Sequence, residues 1–386
     1  MTLKIGIVGN YGHNNNGDEA ILQGILNQIK DINEHYDIVI FSDNVSDTIK
    51  RYHLKSYRLT YKRNNIFSSI LYTVVRVFKN IKEIDVLIIG GGQLLMDLFK
   101  RPPMLYCMYS ILAKLAGKPV IYYCVGVGPI SSIKGKFLIG LGLKNAMYIS
   151  VRDIQSKRIL NEKYKLGDKV IVASDPAFFL NPKNTMKKLQ RNKIIGFTTL
   201  PYFNKVYWPK EDQEKYNRYI EILRQTIEKL IEDTDYNIIL FSTVYPADVI
   251  SSTDLYKKIT DKSRVTNITE NLNPYELLET INKCDLIVGT RLHSLILSVV
   301  CEKPIIGINY QSKVKNFMEK INLKEYCFNI DTMEAQEIYS SIEKIIKDKR
   351  EYDLAVSKSI QALYQMRKES DRNLKKIKEI MENIKK

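Results

Sequence analysis

Short apolar runs alternate with amphipathic segments of helical length along most of this chain, and this alternation limits the possible folds more than any other feature. The predicted strands are Lys4–Val8, Ile38–Phe41, Val86–Ile89, Val120–Cys124, Tyr148–Val151, Val170–Val172, Ile194–Phe197, Ile238–Phe241, Leu286–Val288 and Ile305–Ile308. Predicted helices between them are Asp18–Ile29, Ile66–Phe78, Leu105–Ala116, Gly135–Leu143, Ile154–Leu160, Tyr219–Ile231, Asp254–Ile259, Pro274–Ile281 and Leu295–Val300. Such alternation favours an α/β fold with mostly parallel sheets.

The pattern lapses once, in the polar segment Asn181–Asn192. Because single cores stop growing near roughly 250–300 residues, a chain of 386 residues is long enough for two domains. We therefore predict two doubly wound, Rossmann-like domains facing each other across a cleft, at 1–185 and 192–331. A long charged helical tail, 332–386, is expected to pack across both.

Composition narrows the functional classes. The five cysteines form no Cys-x-x-Cys pair, which indicates neither a disulfide framework nor a zinc site, and we predict no metal. No apolar run approaches the ~20 residues of a membrane span, and the chain opens directly into a strand, so we expect a cytoplasmic protein. The net charge is +16, but no nucleic-acid-binding module is recognisable.

Positive charge is concentrated between Thr48 and Lys82, where the sequence has no Asp or Glu. The predicted helix Ile66–Phe78 lies inside this segment and is both basic and amphipathic, so residues 66–79 could contact an anionic membrane surface. The alternative is an ordinary helix that covers the sheet and has a solvated basic rim.

The segment Cys284–Ser294 carries the strongest functional signal. A predicted strand ends at Gly289, and Arg291 and His293 follow immediately. Carboxyl ends of parallel strands face the ligand crevice, so these side chains indicate a site that binds an anion and moves a proton. The next strand ends before Lys313, which brings another cation to the same edge. The alternative is that Arg291 and His293 are solvated residues that simply begin a helix.

The loop Gly9–Ala20 follows the first strand but lacks the spacing of the dinucleotide fingerprint. Asp18 and Glu19 favour the helix dipole themselves and compete with any anion, so we interpret the loop as a hydroxyl-binding edge. Alternatively, Asp18 acts only as a helix N-cap.

Other strand ends carry glycines and an arginine. Gly91 and Gly92 belong to a run of three glycines, and their lack of side chains would let a ligand lie against the backbone. Arg152 follows another strand and could bind an anion, or could only pair with Asp153 or Asp175.

In combination, these motifs resemble those of the polysaccharide pyruvyl transferases. The matching segments, in order, are Gly12–Ala20, Gly90–Asp97, Gly126–Pro129, Val151–Asp153, Ser174–Phe178 and Gly289–Ser294. The resemblance implies a fold similar to the GT-B glycosyltransferases and transfer of a pyruvyl group from phosphoenolpyruvate to two sugar hydroxyls as a ketal, with no cofactor. It also implies that Arg152, Arg291 and His293 form the donor site, that Leu292 contributes a backbone contact and that Lys313 assists. One departure is Gly196–Phe203, where the family often has an arginine.

The residue types suit this chemistry. Phosphoenolpyruvate carries a carboxylate and a phosphate of roughly −1.5 to −2 charge, and guanidinium groups offer paired donors to both. Imidazole exchanges protons near neutral pH, so His293 would protonate the methylene carbon of the enol. We expect the arginines and His293 to converge in the groove between the domains, with Asp18 or Glu19 as base for a glycan acceptor. That acceptor could be lipid-linked, with the protein peripheral at the inner membrane face. Two alternatives are a nucleotide-sugar glycosyltransferase, in which Glu302 reaches a ribose, and a non-catalytic glycan-binding protein.

Overall fold

The computed structural model describes residues 2–98, 101–182, 191–205, 208 and 210–385. Contacts divide the chain into two compact units. The first unit comprises Met1–His13, Asp18–Phe179 and Met366–Lys386, and the second comprises Asn14–Gly17 and Leu180–Gln365. A short piece of the N-terminal loop therefore belongs to the second unit.

The first unit is built on a seven-stranded parallel sheet of order β3-β2-β1-β4-β5-β6-β7. Its strands are β1 (Lys4–Val8), β2 (Asp37–Ser42), β3 (Lys55–Arg58), β4 (Val86–Gly90), β5 (Val120–Val125), β6 (Tyr148–Val151) and β7 (Val170–Val172). Its first six helices are α1 (Asn16–Ile32), α2 (Val45–Tyr52), α3 (Ile66–Lys82), α4 (Arg101–Leu115), α5 (Ile133–Lys144) and α6 (Ile154–Tyr164). The strand order reverses between β1 and β4, which makes the carboxyl ends of these two strands the expected ligand edge.

One hydrophobic core holds α3, α4, α5 and α6 against the first sheet. Val77, Tyr109, Ile139 and Leu160, one from each helix, share a buried cluster with strand residues such as Ile89. Right-handed crossovers that step from β3 to β7 place these four helices on the same face. Helix α4 packs against both α3 and α5.

The second unit contains a six-stranded parallel sheet of order β10-β9-β8-β11-β12-β13. The strands are β8 (Ile194–Thr198), β9 (Asn237–Phe241), β10 (Val265–Asn267), β11 (Leu286–Gly289), β12 (Ile305–Asn309) and β13 (Cys327–Asn329). The helices are α7 (Gln213–Asp233), α8 (Ala247–Lys258), α9 (Pro274–Lys283), α10 (Leu292–Val300), α11 (Ser312–Lys320) and α12 (Ala335–Lys347). Here the order reverses between β8 and β11, so Arg291 and His293 follow the strand at the switch point.

These sheets confirm the prediction of two doubly wound, Rossmann-like domains. The predicted helical tail is also present, but it is divided into three helices: α12 ends at Lys347, α13 spans Lys349–Glu369 and α14 spans Asp371–Lys385. Asp348 interrupts the helix and its carboxylate accepts the Arg350 N–H at 2.8 Å. Ser370 marks the second break, where its hydroxyl bonds the Ser174 N–H.

Two further differences concern element starts. Helix α8 begins at Ala247, not near Asp254, because Asp248, Ser251 and Ser252 are buried polar residues that obscure its apolar periodicity. Of the predicted linker Asn181–Asn192, residues 183–190 lie outside the described residues. In the described part of the chain, no helix combines the length and the apolar character needed to cross a bilayer.

Candidate active site

The connection between β11 and α10 has little freedom. A Cβ on Gly289 would lie 2.6 Å from Leu295 and 2.7 Å from Ser294, so only glycine allows α10 to approach the strand this closely. The Thr290 hydroxyl donates to the Thr198 carbonyl at 3.0 Å and fixes the turn to β8. Arg291 then occupies the N-cap position, and the buried Leu292 is the first residue of α10.

Arg291 forms a buried ion pair with Asp248. Arg291 Nη2 donates to Asp248 Oδ1 at 2.6 Å and Nε donates to the same carboxylate at 3.1 Å. Asp248 is fully buried and Arg291 is 6% exposed. Burial raises the pKa of Asp248, while Arg291 and the backbone N–H of Val244 oppose that shift. Part of the predicted anion-binding guanidinium is therefore held by Asp248, which sequence reasoning missed.

A second cation lies close to Arg291. Lys313 Nζ is 5.3 Å from the centre of the Tyr310 ring, and the Tyr310 hydroxyl interacts with both Lys313 and Arg291. Burial alone would raise the pKa of Tyr310, but the two cations outweigh it and lower the pKa below its ordinary value. Tyr310 was also missed, although it stands in the strand-end segment from which Lys313 was predicted.

His293 lies directly against the N-terminal loop. A Cβ on Gly17 would lie 2.3 Å from His293 Nδ1, so any larger residue at 17 would displace the imidazole. The loop is held by backbone hydrogen bonds from Asn16 N–H to the Thr243 carbonyl at 2.8 Å and from Tyr245 N–H to the Asn14 carbonyl at 2.9 Å. The second unit thus brings part of the first motif, Asn14–Gly17, into contact with the last one.

Asp248 connects Arg291 to the loop that binds Asn14–Gly17. One oxygen of its carboxylate accepts the Val244 N–H at 3.0 Å, in the loop that carries Thr243 and Tyr245. The same carboxylate binds Arg291. A single buried charge therefore positions the arginine and the loop that holds Asn14–Gly17.

In the first unit, Asp18 and Gly92 meet at the switch point of the sheet. A Cβ on Gly92 would lie 2.9 Å from Asp18 Oδ1. Asp18 accepts a hydrogen bond from Asn10 Nδ2 at 2.7 Å and is 7% exposed. Since α1 begins at Asn16, Asp18 lies in the first turn, and the alternative that it is only the N-cap is wrong.

Neighbouring residues at this edge have structural partners. Gly91 has a φ of +67°, and a Cβ there would lie 1.8 Å from Ile21, so its position is dictated by the packing of α1. The Glu19 carboxylate accepts the Gly12 N–H at 2.8 Å and the Tyr52 hydroxyl at 2.6 Å. Burial raises the pKa of Glu19, and these two hydrogen bonds partly offset it.

Arg152 is surrounded by residues from the other matching motifs. Its Nη2 donates to Gln93 Oε1 at 2.6 Å, and its Nη1 lies 3.3 Å from Asp175 Oδ2. Its Nε is 3.6 Å from an Asp153 oxygen, whose carboxylate also caps α6 by accepting the Ser156 N–H. Gly126 leaves room for the guanidinium, since a Cβ there would lie 2.9 Å from Nε. The pairing with Asp153 and Asp175 that the sequence left open is therefore present.

The structure also places the segment at the end of β8 and Glu302, two features singled out in the sequence. At the end of β8, where the resemblance predicts an arginine, Thr198 bonds the Ser294 hydroxyl at 2.9 Å and Thr199 bonds the Ser251 hydroxyl at 2.8 Å. Glu302 follows α10 and precedes β12. It lies at the amino edge of the second sheet, opposite the edge that carries Arg291, so this sheet does not bring it to the same site.

Comparison with known proteins agrees with the family resemblance of the sequence motifs. Residues 15–312 match the family model described as polysaccharide pyruvyl transferase. The chain is 24% identical over 409 residues to the amylovoran biosynthesis protein AmsJ of Erwinia amylovora, covering 93% of this chain and 96% of AmsJ.

Similar solved structures share the fold. The S. aureus MnaA–UDP co-structure has a TM-score of 0.65 at 13% identity and covers 100% of this chain and 98% of its own. The Anabaena HepE structure in complex with UDP and glucose has a TM-score of 0.62 at 13% identity, covering 97% and 100%. A Rickettsia africae glycosyltransferase has a TM-score of 0.65 at 15% identity, covering 100% and 99%. These likenesses establish a GT-B-like fold.

Proposed function

This chain belongs to the polysaccharide pyruvyl transferase family, and we propose that it transfers the pyruvyl group of phosphoenolpyruvate to two hydroxyls of one sugar. The acceptor would be a cell-surface polysaccharide or a lipid-linked glycan. The family and AmsJ, an amylovoran biosynthesis protein, support the coarser statement that the chain is a transferase of polysaccharide biosynthesis.

The observation that carries the proposal is the grouping of two cations and an imidazole at one sheet edge of the second unit. Arg291 and Lys313 both interact with Tyr310, and His293 is on the first turn of α10, two residues after Arg291. Cations held by a buried carboxylate and by a phenol suit a small donor that carries a carboxylate and a phosphate.

The reaction would proceed in balanced steps. His293 delivers a proton to the methylene carbon of phosphoenolpyruvate, which leaves an oxocarbenium-like centre at the carbon that bears phosphate. A sugar hydroxyl forms a C–O bond there and loses its proton to a base. The second hydroxyl then forms the other C–O bond as the C–O bond to phosphate breaks. Its proton passes to His293, which restores the acid, and inorganic phosphate leaves.

Residues of the first unit would complete this chemistry. We assign Arg152 to the anionic groups of the donor, held in place by Gln93 and Asp175. We assign Asp18 as the base for the acceptor, because its carboxylate lies against Gly92 at the switch point of the first sheet. Glu19 instead accepts the Gly12 N–H and the Tyr52 hydroxyl. We assign backbone contacts with the substrates to Leu292, at the edge of the second sheet, and to Gly92, at the edge of the first. Gly91 packs against α1.

The test is release of inorganic phosphate from phosphoenolpyruvate by the full chain, measured across free and lipid-linked glycans. The proposal predicts release that requires a glycan, together with a mass gain on that glycan equal to one pyruvyl ketal. Nucleotide sugars serve as the counter-screen, and sugar transfer from them without phosphoenolpyruvate would identify a glycosyltransferase instead. Glycan binding without any phosphate release would indicate a binding protein.

A further inference from the structure

Large apolar side chains are exposed at the starts of several helices of the first unit. Ile66 and Phe67 at the start of α3 are 81% and 79% exposed, and Ile133 and Phe137 at the start of α5 are 91% and 66% exposed. Met104 in the first turn of α4 is 44% exposed. We call these five residues the apolar rim. Contact between apolar side chains and water is unfavourable. A contiguous exposed apolar surface therefore marks an interaction site.

The helix arrangement brings the members of the apolar rim to one side of the unit. Helices α3, α4 and α5 lie side by side on one face of the sheet, since α4 packs against the other two. Each helix follows a strand and runs back along it, so all three helix starts lie at the carboxyl edge. On α3 the exposure continues past the first turn, since Ile70, Leu71 and Val75 are 49%, 57% and 58% exposed. It ends in the last turns, where Val77 and Ile81 are fully buried in the core.

The charge around the apolar rim is strongly positive. Glu83, Asp85 and Asp97 are the only acidic residues between Thr48 and Arg152, a segment with seventeen Lys and Arg. This segment therefore carries most of the net charge of +16. Exposed cations lie next to the rim: Lys62 and Arg63 precede α3, and Lys134 and Lys136 lie in the first turn of α5.

We propose that the apolar rim docks on an anionic lipid bilayer, with its apolar side chains below the headgroups and the surrounding cations at the headgroup phosphates. A basic surface with exposed aromatic and aliphatic side chains matches an interface that is apolar beneath an anionic layer. A second copy of the chain is a poorer occupant, because it would place equal positive charge against this surface.

Docking in this orientation would also place the acceptor side of the first sheet near the membrane, an inference that rests on the proposed function. The carboxyl edge of the same sheet carries Asp18, Gly92 and Arg152, which follow β1, β4 and β6. Docking through the apolar rim would therefore hold this edge toward the membrane, where the sugar of a lipid-linked acceptor is anchored.

The experiment is sedimentation of the full chain with phosphatidylcholine vesicles and with vesicles that also contain phosphatidylglycerol. We expect binding only to the anionic vesicles, weakened by added salt because salt screens the attraction. The variant Phe67→Ser/Ile133→Ser should bind at least about tenfold more weakly, since it removes two side chains that would be buried in lipid. The matched control is Leu115→Ser/Met147→Ser, which removes apolar residues that are 70% and 58% exposed at the opposite, amino edge of the sheet.

Equal binding by the two double variants would overturn the proposal, as would wild-type binding that does not depend on phosphatidylglycerol. A dimer that Phe67→Ser/Ile133→Ser dissociates, without vesicle binding, would assign the apolar rim to a second copy of the chain and also overturn it. Phosphate release with a water-soluble glycan keeps the two proposals separate. That activity should be the same in wild type and Phe67→Ser/Ile133→Ser, and its absence in wild type would count against the transferase and not against docking.

Discussion

Arg291 donates two hydrogen bonds to the carboxylate of Asp248, at 2.6 Å from Nη2 and 3.1 Å from Nε, and this pair lies almost entirely out of solvent. The two residues are 43 positions apart and come from the starts of α8 and α10. Because Asp248 also holds the loop that bonds Asn14–Gly17, the pair organises the edge of the second unit on which the donor site is proposed.

Replacing Asp248 by Asn should strongly destabilise the protein. It keeps the shape of the side chain but leaves the Arg291 charge buried without a counter-ion, which costs about 3–5 kcal/mol for pairs of this kind. Urea unfolding measures the change. The matched control is Asp233→Asn, which weakens an ion pair with Lys229 at 3.0 Å whose side chains are 41% and 38% exposed, and it should cost at most about 1 kcal/mol. Similar losses in both variants would contradict the structural role of Asp248.

Gly17→Ala should reduce phosphate release by about 10- to 100-fold while leaving the fold intact. The new methyl group would meet His293 Nδ1 and displace the imidazole, and small displacements of a reacting group are costly. Alanine otherwise favours a helix relative to glycine, so the melting temperature should not fall with the activity. Gly140→Ala in α5 is the control, because its Cβ would meet only the ring of Tyr164 at 3.0 Å. Unchanged activity in Gly17→Ala would show that His293 does not need its present position.

The affinity for phosphoenolpyruvate should depend on the ionisation of Tyr310. Since Lys313 and Arg291 outweigh burial and lower the pKa of this phenol, the phenolate forms below the usual pH of about 10. A phenolate would neutralise the two cations and compete with the anionic donor, so affinity should fall on the alkaline side. In Tyr310→Phe the affinity should persist to higher pH. Calorimetric titration across alkaline pH measures both profiles, and identical profiles would exclude this role.

Asp97 should stabilise the start of α5 in a pH-dependent manner. Burial acts to raise the pKa of its carboxyl, but hydrogen bonds from Ser132 and Ser131 lower the pKa to about 2. A carboxyl whose pKa is lower in the folded state stabilises the fold above its unfolded pKa and loses this effect as pH falls toward the folded one. The difference in melting temperature between wild type and Asp97→Asn should therefore be constant near neutral pH and shrink between about pH 4 and pH 2. A difference that stays constant through this window would refute the assignment.

Much of the architecture was predictable because buried parallel strands are continuous apolar runs. Lys4–Val8, Tyr148–Val151 and Val170–Val172 match the structure at both ends. The strands β3, β10 and β13 were missed because they are short and carry polar residues, as in Lys55–Arg58. All three lie at sheet edges. An edge strand has one neighbour and tolerates polar residues. The edge strand β7 was predicted because all three of its residues are apolar.

The site was predictable only where its residues follow a strand. Arg152, Arg291 and His293 were proposed because they follow strands, and strand ends in α/β folds face the ligand edge. Asp248 precedes no strand and follows none directly, and its importance comes from a contact with Arg291 that no local pattern encodes. The same holds for Gly17, whose partner His293 is distant in the sequence, and for the apolar rim, whose members come from three separate helices.

In the proposed reaction, His293 delivers the proton that starts pyruvyl transfer, while cations bind the donor. The most direct measurement compares wild type and His293→Ala in two assays, phosphoenolpyruvate binding by calorimetry and glycan-dependent phosphate release. We predict nearly unchanged binding together with turnover lower by about 10²–10⁴-fold, the usual contribution of a general acid. Near wild-type turnover in His293→Ala, with binding intact, would contradict the account.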